Sequence, residues 1–285
     1  MARASLLLRM VKFEHTVFAL PFAVMGGFLA AGGVPRPWVF FWVIMAAVGA
    51  RNFAMALNRL ADRELDERNP RTQDRRAFRG ILYGPGIWLF MGGCLALFFL
   101  SAAMLNPLAL YLSPLVIAVI ILYAYSKRFT SLCHLILGLA LGFAPAGGWV
   151  AVAGGLALTP ILLLVGVTLW VAGFDIIYGC LDYDFDGREG LHSIPRRLGL
   201  RGALILSGVL HAGTALCFFL VGQLASLGLI YYLGTSAASG LLVLEHILVS
   251  PGDLSRVNFS FFNLNALVSL LVGGAAVVDL LLPLA

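Results

Sequence analysis

Charged residues are scarce in this sequence. Only 12% of its 285 residues are Asp, Glu, Lys or Arg, whereas a soluble domain carries roughly 25%. Hydrophobic residues make up 61%, and the mean hydropathy is +0.96. This composition excludes an ordinary soluble protein and predicts an integral membrane protein. The apolar segments also lack the alternation typical of strands, which excludes a membrane barrel and leaves an all-α bundle.

Cysteine is scarce as well, and the four residues lie far apart. Their spacing excludes a CxxC pair or a metal-binding knuckle, so we interpret them as small apolar residues in helices. The stretch DYDFDG at 182–187 begins like a calcium loop but lacks its glutamate. The twelfth position counted from Asp182 is Ser193, where that loop requires a bidentate Glu. The acids of this stretch therefore need another explanation.

Long apolar stretches recur along the chain, and a stretch of about 20 residues can cross a bilayer as a helix. The sequence predicts nine transmembrane helices in one membrane domain over residues 1–285. The N-terminal stretch imitates a signal peptide, but eight further spans argue against cleavage. The approximate spans are 17–34, 38–57, 82–103, 107–125, 132–153, 160–180, 203–221, 224–243 and 263–284.

The basic residues lie almost entirely on one side of these spans. If the N-terminus is cytoplasmic, Arg36 is the only one of 19 Lys and Arg residues on the opposite side. Short positively charged loops stay in the cytoplasm, so we expect a multi-pass protein of the cell inner membrane. The same loops hold 13 of the 14 acids, all but Asp279. Since bases and acids alternate there and no soluble domain accompanies them, the sequence argues against a nucleic-acid partner.

Two polar segments repeat four spans apart. NRLADRELD at 58–66 follows the second span, and YGCLDYDFD at 178–186 follows the sixth. Each segment has a polar residue, an Asp four positions later, and another Asp four positions after that. This repeat predicts a duplicated four-helix unit with a ninth helix appended.

The spacing of these acids points to a metal. Residues four apart lie about 6 Å apart along a helix and on nearly one face. Like charges at that spacing are destabilising without a cation between them. Two such stripes at one end of a bundle suit Mg²⁺, which prefers hard oxygen ligands and shares its shell with phosphate, so we expect a diphosphate substrate. The predicted magnesium ligands are Asn58, Asp62, Asp66, Asp182 and Asp186.

An alternative use of these acids is simple ion pairing with neighbouring arginines such as Arg59 and Arg188. Two matched copies of the motif make that the weaker interpretation. Within the second segment, Asp184 lies about 160° away from the line that joins Asp182 and Asp186. We therefore expect its side chain to point away from the metal site.

Further charged residues extend both stripes towards the membrane. Arg51 lies seven residues before Asn58, and Asp175 lies seven residues before Asp182. Charges inside a span are costly and are usually functional, so we expect both to face the interior of the bundle. For Arg51, the alternative is that its long side chain reaches the membrane interface.

A third polar cluster, YAYSKRFT at 123–130, ends the fourth span. It contains Tyr123, Lys127 and Arg128. A basic end to a span ordinarily sets only the topology. Beside two acidic stripes, however, this cluster becomes a candidate binding site for an anionic ligand.

Together these motifs resemble the UbiA superfamily of intramembrane aromatic prenyltransferases. The resemblance rests on NxxxDxxxD after the second span, a second DxxxD preceded by FDIIY, YSKRFT and GLHSIPRRLG, and it covers essentially the full length. Within the family, the bacterial branch of 4-hydroxybenzoate polyprenyltransferases is the most similar, on the segments KFEHTVFALPFA, NRLADRELDERNPRT and GFDIIYGCLDYDFD. That branch includes relatives that act in the futalosine pathway to menaquinone. The resemblance implies helices around a central cavity, Mg²⁺-dependent binding of a polyprenyl diphosphate, and prenyl transfer to an aromatic ring in quinone biosynthesis.

The expected chemistry follows from where charge develops. Cleavage of the allylic C–O bond leaves negative charge on the diphosphate, which Mg²⁺ and Lys127 would stabilise. Asn58 and Arg128 are further candidate ligands of the diphosphate. Asp62 and Asp182 are the metal-binding acids on which catalysis is expected to depend most.

The acceptor would be an aromatic acid of the hydroxybenzoate or dihydroxynaphthoate type. Tyr123 and Tyr178 are expected to line its site and to protect the allylic cation with their ring faces. Arg51 or Arg128 is a candidate for the acceptor carboxylate, since a guanidinium binds a carboxylate through two parallel hydrogen bonds. Asp175 is expected to orient the phenol or to accept the ring proton.

The sequence departs from the family pattern in two places. Lys12-Phe13-Glu14-His15 stands where many relatives have a basic residue and proline, and QDRRAFRG at 73–80 replaces a Leu-Pro turn. No role is assigned to His15 or to 73–80. A transporter would explain the repeat but not two acidic stripes, and a CDP-alcohol phosphotransferase has its motifs in another order. A relative with a different acceptor is a further alternative.

Overall fold

The computed structural model describes residues 19–282, apart from the side chains of Arg76 and Ala77. This part of the chain is helical, and its one β-bridge joins Ser250 to Asp253. The long helices are α1 (Leu20–Ala31), α2 (Pro37–Ala61), α3 (Gly86–Leu105), α4 (Pro107–Ser126), α5 (Cys133–Ala153), α6 (Leu158–Gly179), α7 (Ile194–Leu224), α8 (Leu229–Leu248) and α9 (Val257–Leu281).

Seven helices of the described range are long and apolar enough to cross a membrane: α2, α3, α4, α5, α6, α7 and α9. Helix α1 is apolar but has only 12 residues within this range. Helix α8 is not among the seven, and its last turns contain Glu245 and His246. The structure therefore supports an all-helical, multi-pass protein, while nine transmembrane helices are not confirmed.

Short helices connect the long ones on the side where α2 and α6 end. After α2 come Arg63–Arg68, the 3₁₀ segment Pro70–Phe78 and Arg79–Leu82. After α6 come the 3₁₀ turn Cys180–Asp182 and Tyr183–Arg188. A π-helical turn, Ser260–Leu264, lies inside α9.

Local sequence signals set several helix ends. Helix α4 begins at Pro107, a residue suited to the first helical turn, and Asn106 Oδ1 accepts a hydrogen bond from Ala109 N at 2.9 Å. Helix α1 ends at Gly32 and α5 ends at Gly154, both with left-handed backbone angles that glycine adopts without steric cost.

Helix α5 is packed at backbone distance between α1 and α6. A Cβ added at Gly26 of α1 would lie 2.0 Å from the Pro145 carbonyl oxygen, and one at Gly148 would lie 2.1 Å from the Ala23 oxygen. On the other side, a Cβ at Gly138 would lie 2.2 Å from the Thr168 oxygen. Small residues let helix backbones approach closely in membranes, so these glycines fix the position of α5.

A buried aromatic core joins α1, α6, α7 and α8. Phe22, Trp170, Phe218 and Tyr231 are at most 2% exposed. The ring centroids of Phe22 and Trp170 lie 5.2 Å apart, and those of Phe22 and Phe218 lie 5.6 Å apart. The four cysteines are all buried and unpaired, which confirms their interpretation as apolar filling residues.

A cavity of about 710 Å³ lies within the bundle. On α2 its lining extends from Val43 to Asp62, a distance of about 28 Å at 1.5 Å per residue. Small residues of α2, including Ala46, Ala50 and Ala54, make room for it. Most of the wall is apolar, and its charged residues are concentrated where α2 and α6 end.

Candidate active site

The two acidic segments have the same local backbone. Asp62 ends α2 with φ −94° and ψ 5°, and Asp182 follows α6 with φ −99° and ψ 7°. A six-residue helix follows each of them, Arg63–Arg68 and Tyr183–Arg188. The sequence repeat is therefore also a repeat of local structure, in which each first Asp marks a break between two helices.

Asp62 is held by the basic end of α4. Lys127 Nζ donates to Asp62 Oδ2 at 2.5 Å, and Arg128 Nη2 lies 3.2 Å from Asp62 Oδ1. Arg128 also donates to the backbone oxygens of Ala61 at 2.6 Å and Ala124 at 3.1 Å. Lys127 lines the cavity and Arg128 does not, so the structure gives these neighbouring cations different surroundings.

Asp66 is bound by two arginines. Arg75 Nη1 donates to Asp66 Oδ1 at 2.6 Å, and Arg59 Nη1 lies 3.7 Å from Asp66 Oδ2. Arg59 is buried, and its Nε has no hydrogen-bond partner among the described residues. The contact with Arg59 is the ion pairing that the sequence offered as an alternative use of these acids. Arg75 lies in the stretch 73–80, to which the sequence assigned no role.

Asp182 is bound by residues that follow the first segment. Arg71 forms a two-pronged hydrogen bond to its carboxylate, with Nε 2.9 Å from Oδ1 and Nη2 on Oδ2. Asn69 Nδ2 donates to the same Oδ1 at 2.9 Å. Arg71 Nη1 also donates to Tyr178 Oη at 2.8 Å. Burial lowers the Arg71 pKa, but the hydrogen bonds to Asp182 and Tyr178 outweigh it, so the pKa is raised.

The four carboxylates surround one small polar pocket of about 70 Å³. Asp62, Asp182 and Asp186 line both this pocket and the large cavity, whereas Asp66 lines only the pocket. Asn58 lines only the cavity. Within residues 19–282, no group of three or more His, Cys, Asp or Glu residues is close enough to hold a metal ion. Four of the five predicted metal ligands thus line one pocket, with Asn58 outside it, and they are not drawn together around one point.

The remaining predicted residues line the large cavity. Arg51, Tyr123, Asp175 and Tyr178 all contribute to its wall, as expected for side chains that face the interior of the bundle. Asp184 is exposed and lines neither space, which agrees with its angular offset.

His134 is a cavity residue that sequence reasoning missed. It lies at the start of α5, is 4% exposed, and places Nδ1 2.7 Å from Asp175 Oδ2. Its Nε2 is buried without a hydrogen-bond partner among the described residues. A signal existed, because an acid in an apolar span needs a partner and few polar side chains occur in the neighbouring spans. His15 lies outside the described residues.

Known proteins resemble this chain in both sequence and fold. A model described as the UbiA prenyltransferase family matches residues 19–267. A 4-hydroxybenzoate octaprenyltransferase of Marinobacter nauticus is 30% identical over 80% of this chain and 83% of its own length. The apo structure of a UbiA homologue from Aeropyrum pernix is 38% identical, with a TM-score of 0.84 over 93% of this chain and 98% of that one.

A second solved structure carries ligands. It is a UbiA homologue from Archaeoglobus fulgidus bound to GPP and Mg²⁺, 22% identical, with a TM-score of 0.66 over 95% of this chain and 99% of that one. At this identity the likeness concerns the fold alone.

Proposed function

This chain belongs to the UbiA prenyltransferase family, and we propose that it transfers a polyprenyl chain from a polyprenyl diphosphate to a 4-hydroxybenzoate-type acid in quinone biosynthesis. The observation that carries the proposal is the meeting of both acidic segments with Lys127 and Arg71 at the charged end of one apolar cavity. An anionic head group and a long apolar chain fit such a cavity together. A single domain of nine transmembrane helices over 1–285 is part of this proposal.

The residues present fit a magnesium site. The oxygens of Asp62, Asp66, Asp182 and Asp186 surround the small polar pocket, and carboxylate oxygens are the ligands that Mg²⁺ prefers. Asn58, at the cavity edge, would complete the set. When bound, Mg²⁺ would neutralise charge that develops on the leaving diphosphate. A UbiA homologue of the same fold binds Mg²⁺ together with GPP.

The cations that now pair with the acids are available to the diphosphate. Lys127 and Arg71 line both spaces, so small side-chain movements would bring their N–H groups onto phosphate oxygens. Arg71 is suited to this task, because its planar guanidinium can bind two oxygens at once. These donors stabilise the departing diphosphate, and no protein nucleophile is required.

The acceptor acid would bind deeper in the cavity. Arg51 lies seven residues, or about 10 Å along α2, before Asn58, and its guanidinium is the proposed partner of the acceptor carboxylate. Asp175, held by His134 at 2.7 Å, would accept the hydrogen bond of the phenol or the ring proton. Arg128 is less suited to the acceptor, since it does not line the cavity and already contacts Asp62 and two helix carbonyls.

The Marinobacter relative supports a benzoate over a naphthoate acceptor. The test is to incubate the purified protein with Mg²⁺, a polyprenyl diphosphate and a panel of aromatic acids, and to measure pyrophosphate and prenylated products. We expect C-prenylated 4-hydroxybenzoate and loss of product in excess EDTA. Prenylated dihydroxynaphthoate instead would change the acceptor, and absence of both pyrophosphate and product would favour transport.

The proposed orientation places the charged end of the cavity in the cytoplasm. It is supported by the one-sided distribution of Lys and Arg. Cysteines introduced for Arg68 and Glu189 should react with an impermeant thiol reagent only from the cytoplasmic side. A cysteine introduced for Gly155 should react only from outside. Labelling of positions 68 and 189 from opposite sides would contradict a site shared by both segments.

A further inference from the structure

We propose that Glu245 is a positioning residue that fixes Phe261 and Phe262 as one wall of the reaction site. This inference rests on the proposed prenyl transfer and adds two contact residues and their support. None of these three residues belongs to the acidic segments. Each is reached from the active site through a continuous series of contacts.

Four aromatic rings form a cluster beside the charged end of the cavity. The centroid of Phe261 lies 4.2 Å from that of Tyr178 and 5.2 Å from that of Phe174, and Phe262 lies 4.8 Å from Phe261. All four rings line the cavity. Tyr178 accepts a hydrogen bond from Arg71, which binds Asp182. The cluster is therefore next to the groups that would hold the diphosphate.

The π-helical turn explains how two successive phenylalanines face the cavity. Phe261 and Phe262 lie in the middle of the turn Ser260–Leu264. In a regular α-helix, neighbouring side chains point about 100° apart. A π turn accommodates an additional residue and is frequent at functional sites. The unusual backbone thus brings an extra ring to the wall.

Glu245 of α8 holds both ends of that turn. It is fully buried, and its Oε1 accepts hydrogen bonds from Ser260 Oγ at 2.7 Å and Asn265 Nδ2 at 3.0 Å. Asn265 Oδ1 in turn accepts from Trp170 Nε1 at 2.7 Å. Donors from the first residue of the π turn and from the residue that follows it therefore converge on one carboxyl oxygen.

Helix packing alone does not explain a carboxyl group at this place. Its other oxygen, Oε2, has no hydrogen-bond partner among the described residues and lies 3.9 Å from His211 Nδ1. An apolar residue of similar size would pack α8 against α9 without the desolvation cost of an acid. What an apolar residue would lose is the pair of hydrogen bonds to Ser260 and Asn265, which set the π turn.

The aromatic wall would influence which product forms from the allylic cation. When the C1–O bond breaks, its electron pair leaves with the diphosphate, and C1 becomes cationic. The acceptor ring carbon then bonds to C1 and loses its proton; water at C1 gives a polyprenol and a proton instead. Ring faces attract a cation, and a closed apolar wall excludes water. Phe261 and Phe262 should therefore favour prenyl transfer over hydrolysis.

The test measures the ratio of polyprenol to prenylated acid in the purified enzyme with Mg²⁺, a polyprenyl diphosphate and 4-hydroxybenzoate. Phe261→Leu and Phe262→Leu should each raise this ratio by roughly 3- to 30-fold. Glu245→Ala should raise it in the same way, without touching the substrate. Glu245→Gln keeps an acceptor oxygen for Ser260 and should stay nearer to wild type.

Two control variants match these changes. Asp279→Asn alters a second buried acid, on α9, which accepts from Gly228 N at 2.6 Å and Tyr231 N at 3.2 Å and does not line the cavity. Phe219→Leu removes a ring that stacks on Tyr232 away from the cavity. Both should keep the wild-type product ratio, even if they lower the melting temperature.

The possible outcomes separate the claims. An unchanged ratio in both phenylalanine variants overturns the wall, and an unchanged ratio in Glu245→Ala overturns its positioning role. If Glu245→Ala does not fold, Ser260→Ala removes one of the two hydrogen bonds, and a wild-type ratio there overturns the role equally. A ratio that rises as much in Asp279→Asn also overturns it. Failure of the wild-type protein to prenylate any acid contradicts the proposed function itself.

Discussion

The two acidic segments share a backbone but differ in how their charge is balanced. Asp62 and Asp66 are met by four cations, Lys127, Arg128, Arg59 and Arg75. In the second segment, Asp182 is met by Arg71, and no Lys or Arg side chain of the described residues lies within 4.0 Å of Asp186. The repeat therefore predicts matching geometry without predicting matching electrostatics.

This difference indicates that the acids of the two segments have different functions. A carboxylate such as Asp66, already paired with the buried Arg59 and with the partly exposed Arg75, contributes to the fold, and a metal that binds it must displace those partners. A carboxylate without a cation keeps its negative charge available for a metal. We infer that Asp186 is a more accessible metal ligand than Asp62, Asp66 or Asp182, whereas the first segment also fastens the connecting segment after α2 to the bundle.

The largest effect is expected where the segments correspond most closely. Asp62→Asn and Asp182→Asn should each lower kcat by about 10²- to 10³-fold, since each removes charge that supports the metal and the leaving diphosphate. Asp184→Asn is the matched control, because Asp184 is exposed on the short helix that follows Asp182, and it should stay within about 2-fold of wild type. Steady-state kinetics in detergent measure all three. An Asp184 variant as impaired as Asp182→Asn would restore a role for all three acids.

Arg71 tests whether the second segment depends on a contact from the first. Arg71→Ala should lower kcat/KM for the polyprenyl diphosphate by about 10²-fold, because it removes a two-pronged donor at the charged end. Arg71→Lys should recover only a small part, since a lysine cannot reproduce the planar fork. Arg68→Ala provides the control, because its exposed side chain forms an ion pair with Glu189 and with no other acid of the described residues. Equal losses for Arg68→Ala and Arg71→Ala would point to a general charge effect.

The second acid of each segment separates binding from stability. Asp186→Asn should weaken Mg²⁺ activation by about 10- to 100-fold while the melting temperature stays near wild type. Asp66→Asn should instead lower the free energy of unfolding by about 3 kcal/mol, because it leaves the buried Arg59 without its partner. Mg²⁺ titrations and thermal unfolding of both variants provide the comparison. The reverse pattern would show that the first segment holds the exchangeable metal.

The smallest effect concerns the acceptor. Arg51→Ala should raise KM for 4-hydroxybenzoate by about 10-fold and reduce the penalty of replacing its carboxylic acid with an amide. Arg128→Ala should leave that penalty unchanged, since Arg128 lies outside the cavity wall. Kinetics with the acid and amide in each variant measure this. A penalty that shrinks only in Arg128→Ala would return the acceptor carboxylate to Arg128.

The parts of the site that sequence reasoning found are those encoded by local spacing. The acids at four-residue intervals and Lys127 at the end of an apolar span needed only helix geometry and hydropathy. The predicted helix limits are close to those in the structure where charge and hydropathy change at the same residue. The predicted span 107–125, for example, corresponds to α4, Pro107–Ser126. Within α7, Gly199 has non-helical backbone angles (φ 70°, ψ 167°) and separates a short first turn from the long helix. The predicted span 203–221 therefore begins about three residues after the start of the long helix, because hydropathy drops at the arginines before 203.

The missed parts depend on contacts between distant residues. Arg71 and Asp182 are separated by 111 positions, and His134 and Asp175 by 41. No periodicity links such pairs, so only the packing of helices brings them together. The same holds for Phe261 and Phe262, whose orientation depends on a π turn that Glu245 holds from another helix. Hydropathy identified that helix without indicating which of its faces lines the cavity.

The glycine contacts of α5 have a consequence for redesign. Gly26, Gly138 and Gly148 leave no room for a side chain where α5 contacts α1 and α6. Larger residues at these positions would therefore separate the helices rather than reshape the cavity. The cavity wall on α2 is instead lined by alanines, where a larger side chain would reduce the cavity volume. Directed evolution towards donors of other chain lengths should therefore randomise Ala46, Ala50 and Ala54 and leave the glycines untouched.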